Sequence, residues 1–456
     1  MQIEKLVEKQ RKYFATRQTH DVRFRIQMLK KLRASIQKYE KEIYNALSMD
    51  LGKSETESYM CEIGMTLSEL THQLKHLRKW SKPKRHRTLL ANFHAKSFTV
   101  NEPYGVVLVM SPWNYPFMLC MEPLVGALAA GNCCVVKPSA YSPATSSVIK
   151  KILEDAFPAE YVAVVEGGRQ ENQSLLEQRF DYIFFTGGVN VGKYVMEKAS
   201  RHLTPVTLEL GGKSPCIITD SCNLKLAAKR LVFGKFLNCG QTCVAPDYCL
   251  VDEKIKDSFL KEVILQIQKM YGEAPLKNPA YGKIINSKHF ERLLGLIDSK
   301  KVVHGGNYDS ASCKIAPTVL DNVTAEDAVM QEEIFGPILP ILTYKNVEDA
   351  EQFITAREKP LALYLFTKDK SVENRFIKYI SYGGGCINDT IVHLATSEMG
   401  FGGVGYSGMG SYHGRKSFET FSHEKSILKK YCWIDLPMRY QPYKAFYDKL
   451  IHFFLH

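Results

Sequence analysis

Five stretches hold side chains able to do chemistry. The first, Phe236-Leu237-Asn238-Cys239-Gly240-Gln241-Thr242-Cys243-Val244-Ala245-Pro246, puts Cys243 behind a Gly-Gln-Thr turn. A thiol at such a junction can be reached, and Gly240 lets backbone approach closely. Its chemistry would be nucleophilic attack, and the plain alternative is a small buried hydrophobe. The second, Leu208-Glu209-Leu210, sets a carboxylate between leucines at a strand end. Loss of water there makes Glu209 a candidate base, unless a lysine pairs with it. The third, Ser111-Pro112-Trp113-Asn114-Tyr115-Pro116, locks a turn with two prolines and presents the Asn114 amide. Such a donor stabilises an oxyanion or satisfies turn backbone. The fourth, Val136-Lys137-Pro138-Ser139, puts a lysine directly after an apolar run, in reach of a ribose or phosphate or snorkelling to the surface. The fifth, Phe185-Thr186-Gly187-Gly188-Val189-Asn190-Val191-Gly192-Lys193, is a glycine turn of the kind that cradles phosphate at a helix start. Its glycine spacing approaches a P-loop, but Tyr194 stands where that motif needs Ser or Thr, which disfavours an NTPase.

The elements that must position these residues follow from hydrophobic period. Up to about residue 80 the chain reads as helical, with Leu29, Leu32, Ile36, Tyr39, Ile43 and Leu47 on one apolar face and Gly52 as a stop. Residues 97–103 alternate like an exposed strand. Strands are expected at 105–110, 133–136, 161–165, 182–185 and 206–210, with helices at 118–130, 145–156 and from 188 to about 199. This alternation implies a doubly wound parallel sheet. It resumes after Gly211-Gly212 and runs to about 389 as a second α/β unit containing Cys243, between an apolar helix at 224–236 and a strand at 248–251. Candidate site residues fall at strand ends, where open α/β sheets place ligands.

The chain has 456 residues, 45% hydrophobic and 24% charged, enough for two or three globular domains. Its 12 cysteines include no C-x-x-C pair, and Cys239 and Cys243 have no histidine at metal spacing, so no metal site is expected. The N-terminus is charged from the start, without a signal-peptide apolar run. Free thiols and no export signal point to the cytoplasm. The net charge of +12 is read as a solvated surface, because no nucleic-acid motif accompanies it. The stretch 443–456 carries Phe446, Leu450, Ile451, Phe453, Phe454 and Leu455 beside Lys444, Lys449 and His456. That is a short amphipathic pattern able to lie on an anionic membrane, with docking on the protein's own core preferred.

Taken in order, Pro112-Trp113-Asn114, Lys137-Pro138-Ser139, Phe185-Thr186-Gly187, Glu209-Leu210-Gly211-Gly212-Lys213, Gly240-Gln241-Thr242-Cys243, Glu332-Glu333-Ile334-Phe335-Gly336-Pro337 and Phe401-Gly402-Gly403-Val404-Gly405-Tyr406-Ser407-Gly408 closely resemble the aldehyde dehydrogenase superfamily over essentially the whole chain. The short N-terminus, Ser411-Tyr412-His413-Gly414, Phe418 and Phe421-Ser422-His423-Glu424-Lys425 are most similar to its class 3 branch, which handles fatty and aromatic aldehydes. The resemblance implies Cys243 as nucleophile, Glu209 as the base that activates water, and Asn114 with the Cys243 N–H as oxyanion donors. It implies NAD or NADP held by Lys137 and Glu333 at the riboses, with Trp113 and Ser139 nearby. Phe335 would lie beside the nicotinamide ribose and Gly187, Gly188 and Gly192 at the pyrophosphate turn. Tyr115 and Phe401 would line the aldehyde channel.

The resemblance also implies three parts: a cofactor domain of residues 1–82 and 104–209, a catalytic domain of 210–398, and a small β oligomerisation element of 83–103 and 399–456 that makes a homodimer. Some residues depart from the family pattern. Gly188 replaces a usual serine, Gly400 a proline, Ser417 a glycine, and Ala140 a glutamate that favours NAD. Without that glutamate, NADP is expected to serve comparably to NAD or better. A coenzyme A-acylating enzyme is the second enzymatic reading, which Glu209 argues against. An idle scaffold is the third, which the intact set of Cys243, Glu209 and Asn114 argues against.

Overall fold

A computed structural model describes residues 3–455. Helices Ile3–Ala15, Val22–Lys38, Glu40–Leu51 and Gly64–Trp80 form the opening scaffold. The apolar face expected from Leu29 to Leu47 exists, with Leu29, Leu32, Ile36, Ile43 and Leu47 fully buried. It spans two helices rather than one, because the backbone at Tyr39 leaves helical geometry (φ −102°, ψ 15°). Gly52 closes the second helix at φ 68°, a left-handed position suited to glycine.

The first large sheet has six strands in the order Gly408–Met409, Val206–Glu209, Tyr182–Thr186, Val106–Met110, Cys133–Lys137, Val162–Val164. All neighbours run parallel except Gly408–Met409, which pairs antiparallel with Val206–Glu209. The strands Val106–Met110, Cys133–Lys137 and Tyr182–Thr186 are buried along their whole length. That is why they read as continuous apolar runs. Chain order reverses between Val106–Met110 and Tyr182–Thr186, so a crevice opens at their carboxyl ends. The second sheet has seven strands: Val302–His304, Thr318–Leu320, Ile338–Tyr344, Tyr248–Asp252, Pro215–Ile218, Ala362–Phe366, Gly384–Ile387.

A three-stranded antiparallel sheet stands apart from both. Ala95–Pro103 lies between Lys84–His86 and Ser422–Lys430, and pairs with the latter over nine residues, from Ser422 opposite Pro103 to Lys430 opposite Ala95. This is the partner of the strand expected at 97–103. Within 399–456, expected to join this element as a whole, Gly408–Met409 belongs to the first sheet instead, and Phe418 and Phe421 are buried in the main core. The tail forms the helix Ala445–Phe454 beside a groove of about 590 Å³ lined by Leu90, Phe93, Leu436, Met438, Ile451 and Leu455. Phe446 nevertheless stays 69% exposed and Leu455 72%. His456 and the Phe454 side chain, counted in the sequence pattern, lie outside the described residues. Among the described residues no helix is long and apolar enough to cross a membrane.

Candidate active site

The helix Leu224–Phe236 delivers the chain to a tight turn. Asn238, Cys239 and Gly240 take φ of 52°, 53° and 72° in succession. Two non-glycine residues there are strained, and such strain gathers at functional sites. Gly240 is required, since a Cβ at that position would come within 2.3 Å of the Gly336 carbonyl oxygen. The Gln241 amide then fastens the turn. It donates to the carbonyls of Asn238 (3.1 Å) and Lys283 (3.0 Å) and accepts from the Ile285 N–H (3.0 Å). Thr242 is tied to the Tyr115 hydroxyl at 2.7 Å, and the Tyr364 hydroxyl donates to the Val244 carbonyl.

Held on both sides, Cys243 faces an apolar cavity of about 160 Å³ lined in part by Met65, Tyr115, Met118, Ile391, Phe401 and His413. The residue is half-buried, and its place in the cavity lining is its route to a ligand. Burial first, then the negative charges of Glu333 and Glu209, push that thiol up to about 12. Cys243 comes just before the strand Tyr248–Asp252, at its amino end. The other four stretches, expected at strand ends, follow the carboxyl ends of first-sheet strands.

Glu209 ends its strand 2% exposed, and neither carboxylate oxygen has a hydrogen-bond partner. The alternative of a lysine pair is excluded. Burial alone raises its pKa well above the ordinary value, and its charge reaches Cys243. A desolvated, unpartnered carboxylate beside a reactive centre can accept a proton from water. Asn114 is also 2% exposed. Its side-chain amide donates to the Gln241 carbonyl at 3.0 Å, which joins the proline-locked turn to the cysteine turn.

The crevice of the first sheet holds a cavity of about 590 Å³ lined by Trp113, Lys137, Ser139, Ala140, Gly187 and Gly188 among others. Lys137 is buried, and its amine donates to the Pro138 and Gly167 carbonyls at 2.8 and 2.7 Å. Gly188 caps the helix Val189–Ser200, and a Cβ there would meet nothing within 4 Å. Open space at a helix start, a buried lysine and the cationic Arg169 in the same wall fit a dinucleotide phosphate. Among the described residues no carboxylate lines this cavity.

Gly192 does not belong to it. It is buried in the helix, where a Cβ would meet Leu210 at 2.7 Å, so its glycine serves close helix-on-strand packing rather than a phosphate turn. Glu333 lines a neighbouring cavity with Gly211, Gly212 and Lys213. Burial, then the charge of Asp247, push its carboxyl up to about 8. Phe335 sets its ring 5.3 Å from that of Trp113, which lines the first cavity, and nearly perpendicular to it.

The family model described as the aldehyde dehydrogenase family matches residues 1–427. The chain belongs to the aldehyde dehydrogenase family. It is an NAD(P)-dependent, aldehyde-oxidising enzyme. It is 49% identical over 444 residues to 4,4'-diaponeurosporen-aldehyde dehydrogenase of Staphylococcus aureus, covering 97% of each. It is 46% identical over 428 residues to the dimeric NADP-preferring aldehyde dehydrogenase of Rattus norvegicus, covering 94% of each. The solved substrate-bound structure of Staphylococcus aureus AldH matches with a TM-score of 0.98 at 48% identity over 99% of both chains.

Several residues of the dehydrogenase site escaped sequence reasoning. Lys53, Glu57 and Glu62 stand behind the two turns, His413 lines the apolar cavity at Cys243, and Arg169 lines the cavity in the crevice of the first sheet. In sequence the first three look like ordinary helix-surface charges, and nothing local marks them. His413 lies in a motif already singled out, so its neighbourhood was legible although its position was not. Among the described residues no group of three or more His, Cys, Asp or Glu side chains could hold a metal ion.

Proposed function

We propose that the dehydrogenase converts apolar aldehydes, medium- or long-chain aliphatic or aromatic, to carboxylic acids through a thioester on Cys243. The observation that carries this is the pairing of Cys243, which lines an apolar cavity, with the unpartnered Glu209 carboxylate whose charge reaches it. The Cys243 thiol gives its proton to solvent, its sulfur attacks the aldehyde carbon, and the carbonyl π pair moves to oxygen. The Asn114 amide and the Cys243 backbone N–H hold that oxyanion. NAD or NADP, held there, would supply the hydride acceptor that converts this adduct to the thioester. Glu209 then takes a proton from water, hydroxide adds to the thioester carbon, and the Cys243 thiolate leaves with the acid formed. Lys137 and Glu333 orient the cofactor riboses, Gly187 and Gly188 its pyrophosphate, and Trp113 and Phe335 the nicotinamide side. Tyr115 and Phe401 wall the aldehyde channel. A water-activating base argues for hydrolysis over transfer to coenzyme A.

The reading extends to a cytoplasmic homodimer. The name of the rat relative supports the dimer, as does the outer edge of Ser422–Lys430, which pairs on one side only. Such an edge invites a second strand. Residues 1–82 with 104–209, residues 210–398, and the small sheet with the tail are the three proposed working parts. A panel of aldehydes with NAD and NADP, followed by absorbance of the reduced cofactor, tests the activity. Cys243→Ala should abolish turnover while cofactor binding persists. Retained turnover in that variant would remove the nucleophile assignment.

A further inference from the structure

The Asn114 turn is fastened from behind by a pair of buried charges. The Asn114 carbonyl accepts from the Lys53 amine at 3.0 Å and from the Asn238 side-chain amide at 2.8 Å. Lys53 is ion-paired with Glu62, and both side chains are 0% exposed. The second Glu62 oxygen accepts the N–H groups of Phe117 (2.8 Å) and Met118 (3.1 Å), where the helix Met118–Ala130 begins. The Lys53 amine also stands 4.0 Å over the Tyr115 ring, which is itself tied to Thr242. Two charges therefore grip residues 114, 115, 117 and 118 of one turn.

Asn238 completes the link to the cysteine turn. Its N–H donates to Glu57 at 3.0 Å and its side-chain amide also reaches the Gln241 carbonyl at 3.1 Å. Glu62 lies in Tyr59–Ile63, a widened helical turn of the kind that recurs at functional sites. Stability alone does not explain the pair. Burying two charges is costly, and replacing such a pair with apolar groups is often neutral or stabilising.

We propose that Lys53 and Glu62 are positioning residues for the oxyanion donor, setting the Asn114 amide where the aldehyde oxygen develops its charge. This rests on the reading of Asn114 given above. In the structure that amide spends a hydrogen on the Gln241 carbonyl. Its second hydrogen remains for substrate only if the turn is held in register, and Lys53 acts on the backbone carbonyl of the same residue.

The test is a double-mutant cycle on the full chain, comparing the wild type, Asn114→Ala, the pair variant Lys53→Met with Glu62→Leu, and all three changes together. Changing both charges at once avoids stranding one in the interior. Asn114→Ala should lower kcat by roughly 10²–10³-fold. The pair variant should lower kcat by roughly 10–100-fold, the scale of a misplacement of about 1 Å, with cofactor affinity by fluorescence titration and KM little changed. In the Asn114→Ala background the pair change should cost less than about threefold further, because it positions a group no longer there.

If the pair change costs the same factor in both backgrounds, the positioning role is overturned and the oxyanion role stands. If Asn114→Ala keeps wild-type kcat, the oxyanion role itself falls and takes this proposal with it. Should the pair variant fail to fold, Lys53→Arg, which keeps the ion pair but changes the donor to the Asn114 carbonyl, decides by the same criterion in the same cycle.

Discussion

Replacing Glu209 with glutamine should separate loading of the enzyme from release of the product. The shape of the side chain is kept and its ability to take a proton from water is lost. Hydrolysis of the thioester should slow by roughly 10²–10⁴-fold if Glu209 is a general base, or about 3–5 kcal/mol on that barrier. Acylation does not need this proton transfer, so rapid mixing should still give a burst of reduced cofactor of about one equivalent per subunit, followed by the slowed steady state. In the wild type the steady-state rate should rise with pH on the acid side as Glu209 ionises, and the variant should lose that limb.

The same substitution makes a stability prediction with a defined sign. The folded-state pKa of Glu209 lies well above the ordinary 4.5, through burial. The folded protein therefore keeps this proton where the unfolded chain has lost it. The group's contribution to stability is fully present below about 4.5 and is lost as pH rises toward the folded value, by at most about 1.4 kcal/mol per pH unit. Glutamine has no proton to lose. Its melting temperature should therefore gain on the wild type as pH increases, read by thermal melts at about pH 5.5 and about pH 8.5. A wild-type steady-state rate in Glu209→Gln refutes the base assignment. A melting difference that does not change with pH refutes the picture of an unpartnered buried carboxylate.

Two further outcomes follow from the cofactor cavity and the tail. Among the described residues the walls of that cavity carry Ala140, Lys137 and Arg169 and no carboxylate, so kcat/KM with NADP should equal or exceed that with NAD. Ala140→Glu should turn the preference toward NAD by placing like charge against a 2′-phosphate; strong native NAD preference that this change leaves untouched would take cofactor choice away from residue 140. Truncation after Pro442 should leave flotation with anionic liposomes unchanged, because Ile451 and Leu455 of the tail already line a groove with Leu90, Phe93, Leu436 and Met438; reduced flotation of the truncated form would assign the exposed Phe446 and its neighbouring lysines to a membrane instead.

Much of the fold was legible because buried parallel strands leave a local mark. Residues 106–110 and 133–136 are continuous apolar runs because both of their faces are covered. Gly52 announced a helix end through its left-handed backbone. Glu209 announced its own desolvation through the leucines on either side. What stayed hidden had no local mark. The helix Arg169–Leu176 is too polar to show an apolar face beyond Leu175 and Leu176. The break at Tyr39 preserves the hydrophobic spacing while changing the backbone. Gly192 sits at phosphate-loop spacing from Gly187, yet its lack of a side chain makes room for Leu210, a residue eighteen positions on.

The same contrast runs through the site and explains which residues a sequence can offer. Cys243, Glu209 and Asn114 are recognisable because the chemistry restricts residue type: a thiol, a carboxylate, an amide. The residues that aim them are chosen by three-dimensional position, and several types could serve. Lys53 and Glu62 are separated by nine positions in a stretch that also carries exposed charge, so neither spacing nor composition distinguishes them from a solvated helix surface. Only the fold brings both to zero exposure beneath a turn that begins some fifty residues later. Two charges withdrawn from water at considerable cost, each bonded to backbone of the Asn114 turn, imply a constraint that apolar packing would not supply. Apolar contacts fix how much space a turn fills, whereas a lysine on one carbonyl and a carboxylate on two N–H groups fix the direction of the peptide planes. Direction is what an oxyanion donor needs, since its hydrogen must meet an oxygen that becomes charged only as the reaction proceeds.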